Sequence, residues 1–196
     1  MRPNDLERIL EEKPVTDLVQ EYLFDGIPYC FKDSPEQYNL FRKTICNKFN
    51  IHPQNFTVVG SAKIGFSLSP DKYGKPFSDS SDIDVVLVSE ELFQNLWIQL
   101  LEYKRTASYR FSNQYVKKRF EDFQHILFFG SIRLDMISED FPFAKEWWEF
   151  FNNLSIDRRF GPRRIRAMIF KSWKHVSYYY ENGIRKVIIQ NEGNRI

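Results

Sequence analysis

Apolar and polar positions alternate along the chain with two periods, and these divide it into helical and extended stretches. Leu6, Ile9 and Leu10 recur at helical spacing over residues 4–12, and Pro14 ends that pattern. A second short helix is predicted from Thr16 to Leu23, before Gly26-Ile27-Pro28 breaks the chain. Ser34-Pro35-Glu36 has the form of a helix start, and Tyr38, Phe41, Ile45 and Phe49 continue one apolar face. Phe56 to Val59 is a short β run stopped by Gly60, and residues 67–81, rich in Ser, Pro, Gly, Lys and Asp, read as a long loop. Ile83 to Val88 is the strongest strand signal. Glu90 to Arg105 is predicted helical, with Leu92, Leu96, Leu100 and Tyr103 in phase, and a further helix is predicted from Asn113 to Phe123. Gln124 to Ile137 reads as extended, with Gly130 as a bulge or bend. Phe143 to Leu154 is aromatic and helical. Pro162 to Tyr180 is predicted as one long helix through Ile165, Ile169, Trp173, Val176 and Tyr180, and the tail after Asn182 adds either a strand at Val187 to Ile189 or loose chain.

Helices and strands alternate irregularly, which predicts an α+β (mixed α/β) fold with a small mixed sheet flanked by helices. No composition break is sharp enough for two independent domains. The expected organisation is a core with N-terminal helices over residues 1–140 and a C-terminal helical appendage over 141–196, packed on the same core. With 196 residues, 42% of them hydrophobic, the chain can bury a core, and 19 Phe suggest that bulky rings fill much of it. The formal net charge of +2 does not by itself argue for a general nucleic-acid binder. No apolar run approaches the roughly 20 residues of a membrane span, and the charged N-terminus lacks the apolar stretch of a secretory signal. Cys30 and Cys46 have no metal-type spacing. A cytoplasmic protein with reduced thiols and no membrane insertion is therefore expected.

The chemistry concentrates in Val59-Gly60-Ser61 and in Ser81-Asp82-Ile83-Asp84-Val85-Val86-Leu87-Val88. Residues i and i+2 of a strand share a face, so Asp82 and Asp84 project together from the mouth of an apolar strand. Two carboxylates that close repel unless a cation lies between them, and Mg²⁺ takes oxygen ligands that it shares with phosphates. Asp135 is the expected third acid, because Ile132, Leu134 and Met136 alternate with Arg133 and Asp135 as on a half-buried strand. Such a trio could hold two divalent ions, and the third acid could also take the proton of an attacking hydroxyl. Gly60-Ser61 after a strand offers backbone N–H groups and a hydroxyl to a phosphate, with Lys63 adding charge. Taken singly, each feature is common on ordinary surfaces. Acids often stand at strand ends, and Gly-Ser often makes a turn.

In this order, Gly60-Ser61, the Ser-Asp-Ile-Asp strand and a later Asp resemble the DNA polymerase beta-like nucleotidyltransferase superfamily. The resemblance covers roughly Ser34 to Met136. It implies a short mixed sheet with flanking helices, a nucleoside triphosphate held at Gly60 and Ser61, and two Mg²⁺ or Mn²⁺ ions held by Asp82, Asp84 and Asp135. The stretch from Gly60 to Phe93 is similar to small bacterial nucleotidyltransferase-like proteins associated with phage defence. The gap from Ser61 to Asp82 is longer than the family's usual spacing, so the residues around Ser69 to Lys75 should form an extra loop near the site. Phe170-Lys171-Ser172-Trp173-Lys174-His175 resembles a helix of oligoadenylate synthases and bacterial cyclic-oligonucleotide synthases. That resemblance implies that Lys171 reaches the triphosphate and that Ser172 assists, against the plainer reading of solvated lysines on an amphipathic helix.

The surrounding segment is basic, with Arg158, Arg159, Arg163, Arg164, Arg166, Lys171, Lys174, Arg185 and Lys186 against Glu181; it reads as a phosphate-binding field, with a solvated helix face as the alternative. Trp147-Trp148, Phe150-Phe151 and Tyr178-Tyr179-Tyr180 read as core or as an interface with a protein partner. The leading expectation is an enzyme that moves a nucleoside monophosphate from an NTP or dNTP to a hydroxyl of a nucleotide, a nucleic-acid end or a protein. A non-catalytic antitoxin or binding partner on the same fold is the alternative. A nuclease using the same acids is a third reading, against which only the Gly-Ser turn argues.

Overall fold

The computed structural model describes residues 9, 12–107, 114–138 and 140–193. Over these the chain is a mixed α+β fold with a four-stranded sheet in the order β1 (Phe56–Val59), β2 (Ile83–Val88), β4 (Ile165–Phe170) and β3 (Ser131–Ile132). The predicted helix over residues 4–12 falls largely outside the described residues. Helix α1 opens at Val15–Leu18 and runs on as a π-helix over Val19–Phe24. Helix α2, Pro35–Lys48, starts where Ser34-Pro35 predicts it, although the Ser34 side chain makes no capping bond. Tyr38, Phe41 and Ile45 form its buried face. Strand β1 is Phe56–Val59, α3 is Ser61–Ile64, and β2 is Ile83–Val88. Helices α4, Glu90–Ala107, and α5, Gln114–Phe128, precede a two-residue strand β3, Ser131–Ile132. Helix α6 is Pro142–Ile156, β4 is Ile165–Phe170, and α7 is Trp173–Gly193.

Three expectations are corrected. Residues 165–170 form a strand and not the first part of a long helix. Ile165, Ala167 and Ile169 alternate with Arg166 and Met168, and the segment lies in the middle of the sheet, parallel to β2 and antiparallel to β3. Residues 124–128 continue α5, and the chain turns at Gly130 before β3, so only two residues of the expected extended stretch are strand. Gly130 has φ +74°, and a Cβ there would stand 2.2 Å from His175 Cδ2. Val187 to Ile189 is helical, because Ile184 and Val187 bury one face of α7 against Leu18, Val19 and Leu23.

The strands sort their side chains by parity. Val58, Val85, Leu87, Ala167 and Ile169 face the main core, built with α2, α4, α5 and α6. Val59, Val86, Val88 and Phe170 face the other way and meet Val176 of α7. Trp147 and Phe151 of the aromatic helix belong to the main core, stacked around Phe49 at 4.8 and 5.9 Å between centroids. No helix among the described residues is long and apolar enough to cross a membrane. Cys30 and Cys46 are free thiols.

Candidate active site

Parity puts Asp84 on the α7 side of the sheet, together with Val86 and Val88. Register places its neighbours. Val59 pairs with Asp84 across the antiparallel β1–β2 ladder, and Arg166 pairs with Asp84 across the parallel β2–β4 ladder. The end of β1 and the starts of β2 and β4 therefore meet at one edge. Gly60 leaves β1 there with φ 65° and ψ −149°, and a Cβ on it would stand 3.4 Å from Asp84 Oδ2. The chain then folds into α3, with the amides of Lys63 and Ile64 donating to the Gly60 carbonyl. The first amides of such a turn have no acceptor within it.

These residues line one cleft of about 1220 Å³ between the sheet edge and α7. Gly60, Ser61, Asp82, Asp84 and Asp135 all contribute to its wall, with Arg133 and Arg166. Asp135 reaches it by a route the sequence pattern does not describe. It sits on a 3-10 turn, Leu134–Met136, and not on a strand, and β3 borders β4 rather than β2. Because β3 runs antiparallel to β4, the chain leaving Ile132 returns toward the end where Arg166 lies.

The carboxylates are not alike. Arg166 Nε stands 3.0 Å from Asp82 Oδ2. Arg133 grips Asp135 with two bonds, Nε to Oδ1 at 3.1 Å and Nη2 to Oδ2 at 2.6 Å, and Arg119 donates to the Asp135 carbonyl. Asp84 is the most enclosed. Burial raises its pKa, Arg166 and Arg133 oppose that, and Asp82 and Asp135 add to it. Among the described residues, no three of His, Cys, Asp and Glu are gathered closely enough to hold one metal ion. Asp84 lies on β2 and Asp82 just before its start, and both line the cleft.

Lys63, Lys171 and Ser172 lie away from this cleft. Lys63 belongs to α3 but turns inward: it is 5% exposed, and its Nζ donates to the Gly26 carbonyl at 2.7 Å. Burial lowers its pKa to about 8, with Asp25 opposing. Lys171 and Ser172 precede α7 instead of riding on it. They follow the C-terminal end of β4, five residues beyond Arg166, which is roughly 16 Å along a strand. Lys171 Nζ stands 3.8 Å from Glu90, and Ser172 Oγ shares a hydrogen bond of 2.7 Å with His175 Nδ1. The site residues that sequence reasoning passed over are Arg133 and Arg166. Arg166 was legible only as one of a basic run; the Ile165-Arg166-Ala167-Met168-Ile169 alternation is the signal that would have placed it on the strand face beside Asp84.

Comparison with models of protein families, with curated proteins and with solved structures finds no match to this chain.

Proposed function

We propose that the cleft binds a nucleoside triphosphate and transfers its nucleotidyl group to a hydroxyl acceptor. The observation that carries this reading is the meeting of the Gly60-Ser61 turn with Asp82 and Asp84 at one end of two adjacent strands, Gly60 directly against Asp84. A nuclease needs the acids but no turn built for a triphosphate. The acids fit a divalent cation in part. Mg²⁺ is content with one or two carboxylates when phosphates and water complete its shell, and Asp82 and Asp84 supply two hard oxygen ligands to one cleft. Asp135 joins them only by leaving Arg133. A bound Mg²⁺ or Mn²⁺ would neutralise charge on the transferred phosphoryl group and on the leaving pyrophosphate.

The chain's own part is positioning and charge. Gly60 lets a phosphate approach the backbone, and Ser61 offers a hydroxyl. Arg166 and Arg133 can exchange their carboxylate partners for phosphate oxygens, which match the guanidinium fork equally well. The acceptor oxygen forms a bond to the α-phosphorus, the α–β bridging bond breaks, pyrophosphate leaves, and the hydroxyl proton passes to a cleft carboxylate, the role expected of Asp135. A second reading, a non-catalytic antitoxin or binding partner on the nucleotidyltransferase fold, is favoured by the two arginines already ion-paired with Asp82 and Asp135.

Incubation with each labelled NTP and dNTP and Mg²⁺ or Mn²⁺ separates the two readings. Transfer predicts pyrophosphate release, lost in Asp84→Asn. Nucleotide binding without any pyrophosphate would leave the binding-partner reading. A role in phage defence follows from the resemblance alone, and a cytoplasmic location from the charged N-terminus, the lack of a membrane-length apolar run and the cysteine pattern; equal phage resistance of cells carrying the wild type and Asp84→Asn would remove the former.

A further inference from the structure

The cleft is more than a triphosphate pocket. Six cationic side chains line it against three carboxylates, and two of those carboxylates are paired with arginines of the same wall. Phe128, Phe129, Tyr178 and Tyr179 stand in the same lining. Phe128 differs from the others. It is 84% exposed at the end of α5, and among the described residues its one ring–ring contact is with Phe129, at 88° with centroids 5.5 Å apart. Tyr178 already carries Lys174 over its ring at 5.6 Å, and Tyr179 packs across Phe170 at 5.6 Å.

Phe128 and His175 also line a second cavity, a groove of about 400 Å³ between α4 and α5. The two cavities therefore adjoin at Phe128. The groove holds Trp97 and Leu101, both exposed, and its charged lining residues are Lys104 and Lys171. Glu90 borders it at 3.8 Å from Lys171. Rings and cations are thus interspersed in the lining from the cleft, past Phe128, to the groove, Phe128 and Trp97 beside Lys171 and Lys104. That interleaving suits a chain of stacked bases joined by phosphates, because each base offers a π-face and each phosphate a negative charge.

We propose that a single-stranded nucleic acid lies along this track, its terminal hydroxyl in the cleft and its following bases stacked on Phe128 and Trp97. The inference deepens the nucleotidyl-transfer reading and rests on it for the role of the strand as acceptor. It also gives Lys171 a task at the place where the structure puts it, on the backbone phosphates of the acceptor.

The test measures binding apart from transfer. Fluorescein-labelled dodecamers of dT and of U are titrated with the full chain by anisotropy, in chelator, beside a duplex of the same length. Single strands should bind more tightly than the duplex. Phe128→Ala should weaken them roughly five- to a hundredfold, and Phe128→Tyr should restore binding. Lys104→Ala should flatten the dependence of log affinity on log salt by about 0.7 for each phosphate that is no longer neutralised. Phe128 is so exposed that its removal leaves the core intact, which circular dichroism checks. Equal affinity of wild type and Phe128→Ala would overturn the inference, as would a preference for duplex. So would a change in the sedimentation of the free protein on Phe128→Ala, which would make the rim a contact between copies. Assaying strand binding and transfer on the same wild-type protein separates the two readings. Strand binding with no transfer by the wild type sinks nucleotidyl transfer and keeps the track. Transfer to mononucleotides without strand binding does the reverse.

Discussion

Replacing Asp84 with Asn should stabilise the free protein at neutral pH while abolishing transfer. Asp84 is largely buried at the sheet edge, and no hydrogen bond or ion pair reaches its carboxylate among the described residues. Burial raises its pKa above the usual 3.8. A carboxylate with a raised native pKa binds its proton more tightly folded than unfolded. Stability is then fully present below the unfolded pKa and falls as pH rises through the native one. At neutral pH the ionised group therefore costs stability, and Asn, of nearly the same shape, removes that cost. Relieving one charge of a crowded set is typically worth about 0.5–2 kcal/mol, or about 1–8 °C in melting temperature for a chain of this length. The assay is urea unfolding of both proteins between about pH 4 and pH 8 in chelator. The chelator matters, because a divalent ion bound at 100 times its Kd would stabilise only the wild type by about 2.7 kcal/mol and reverse the sign. The gap between the proteins should be small at pH 4 and widen to a plateau. A variant less stable than wild type at pH 7, or a gap constant across the range, would refute the argument from buried charge.

Gly60→Val forces a branched side chain into φ 65°, ψ −149°, a region nearly closed to residues with a Cβ, so about 1–3 kcal/mol should be lost in urea melts together with nucleotide affinity. Lys171→Ala should leave triphosphate affinity within about twofold of wild type by calorimetry, because the lysine stands at the far end of β4; a tenfold loss would restore the role the resemblance implies. Lys63→Met should remove a pH response. With its pKa lowered from 10.5 to about 8, Lys63 binds its proton more weakly folded than unfolded, so its contribution to stability rises as pH goes from 8 to 10.5, by about 3 kcal/mol. Parallel stability curves for wild type and variant over that range would refute it.

Much of the frame was legible from local pattern. Strands β1 and β2 declare themselves through short β-rich runs bounded by turn residues, and α2 and α4 through apolar residues three and four apart, because those signals are written within a few residues of one another. The strand that carries Asp84 was legible in the same way, although Asp82 stands just before its first residue, so the spacing-of-two argument reaches only one member of the pair. The reading failed where two periods coexist. Ile165, Ile169, Trp173 and Val176 fit a helix, while Ile165, Ala167 and Ile169 fit a strand, and the ladder that chooses between them comes from β2, some 80 residues earlier. Val187-Ile188-Ile189 favours a strand by residue type, yet burial of Ile184 and Val187 against α1 keeps it helical.

By itself, then, the sequence determined the chemistry available at the start of β2 and at the turn after β1. Only the tertiary structure decided the company those groups keep. Arg166 stands beside Asp82 because β4 pairs in register with β2, and Asp135 enters the cleft from a turn and arrives already held by Arg133. Lys171 lies at the wrong end of a strand for the part its motif suggests, and the buried Lys63 donates to the Gly26 carbonyl instead. Electrostatic partnership depends on distance through space, and distance through space is set by strand register and helix packing that no local spacing encodes.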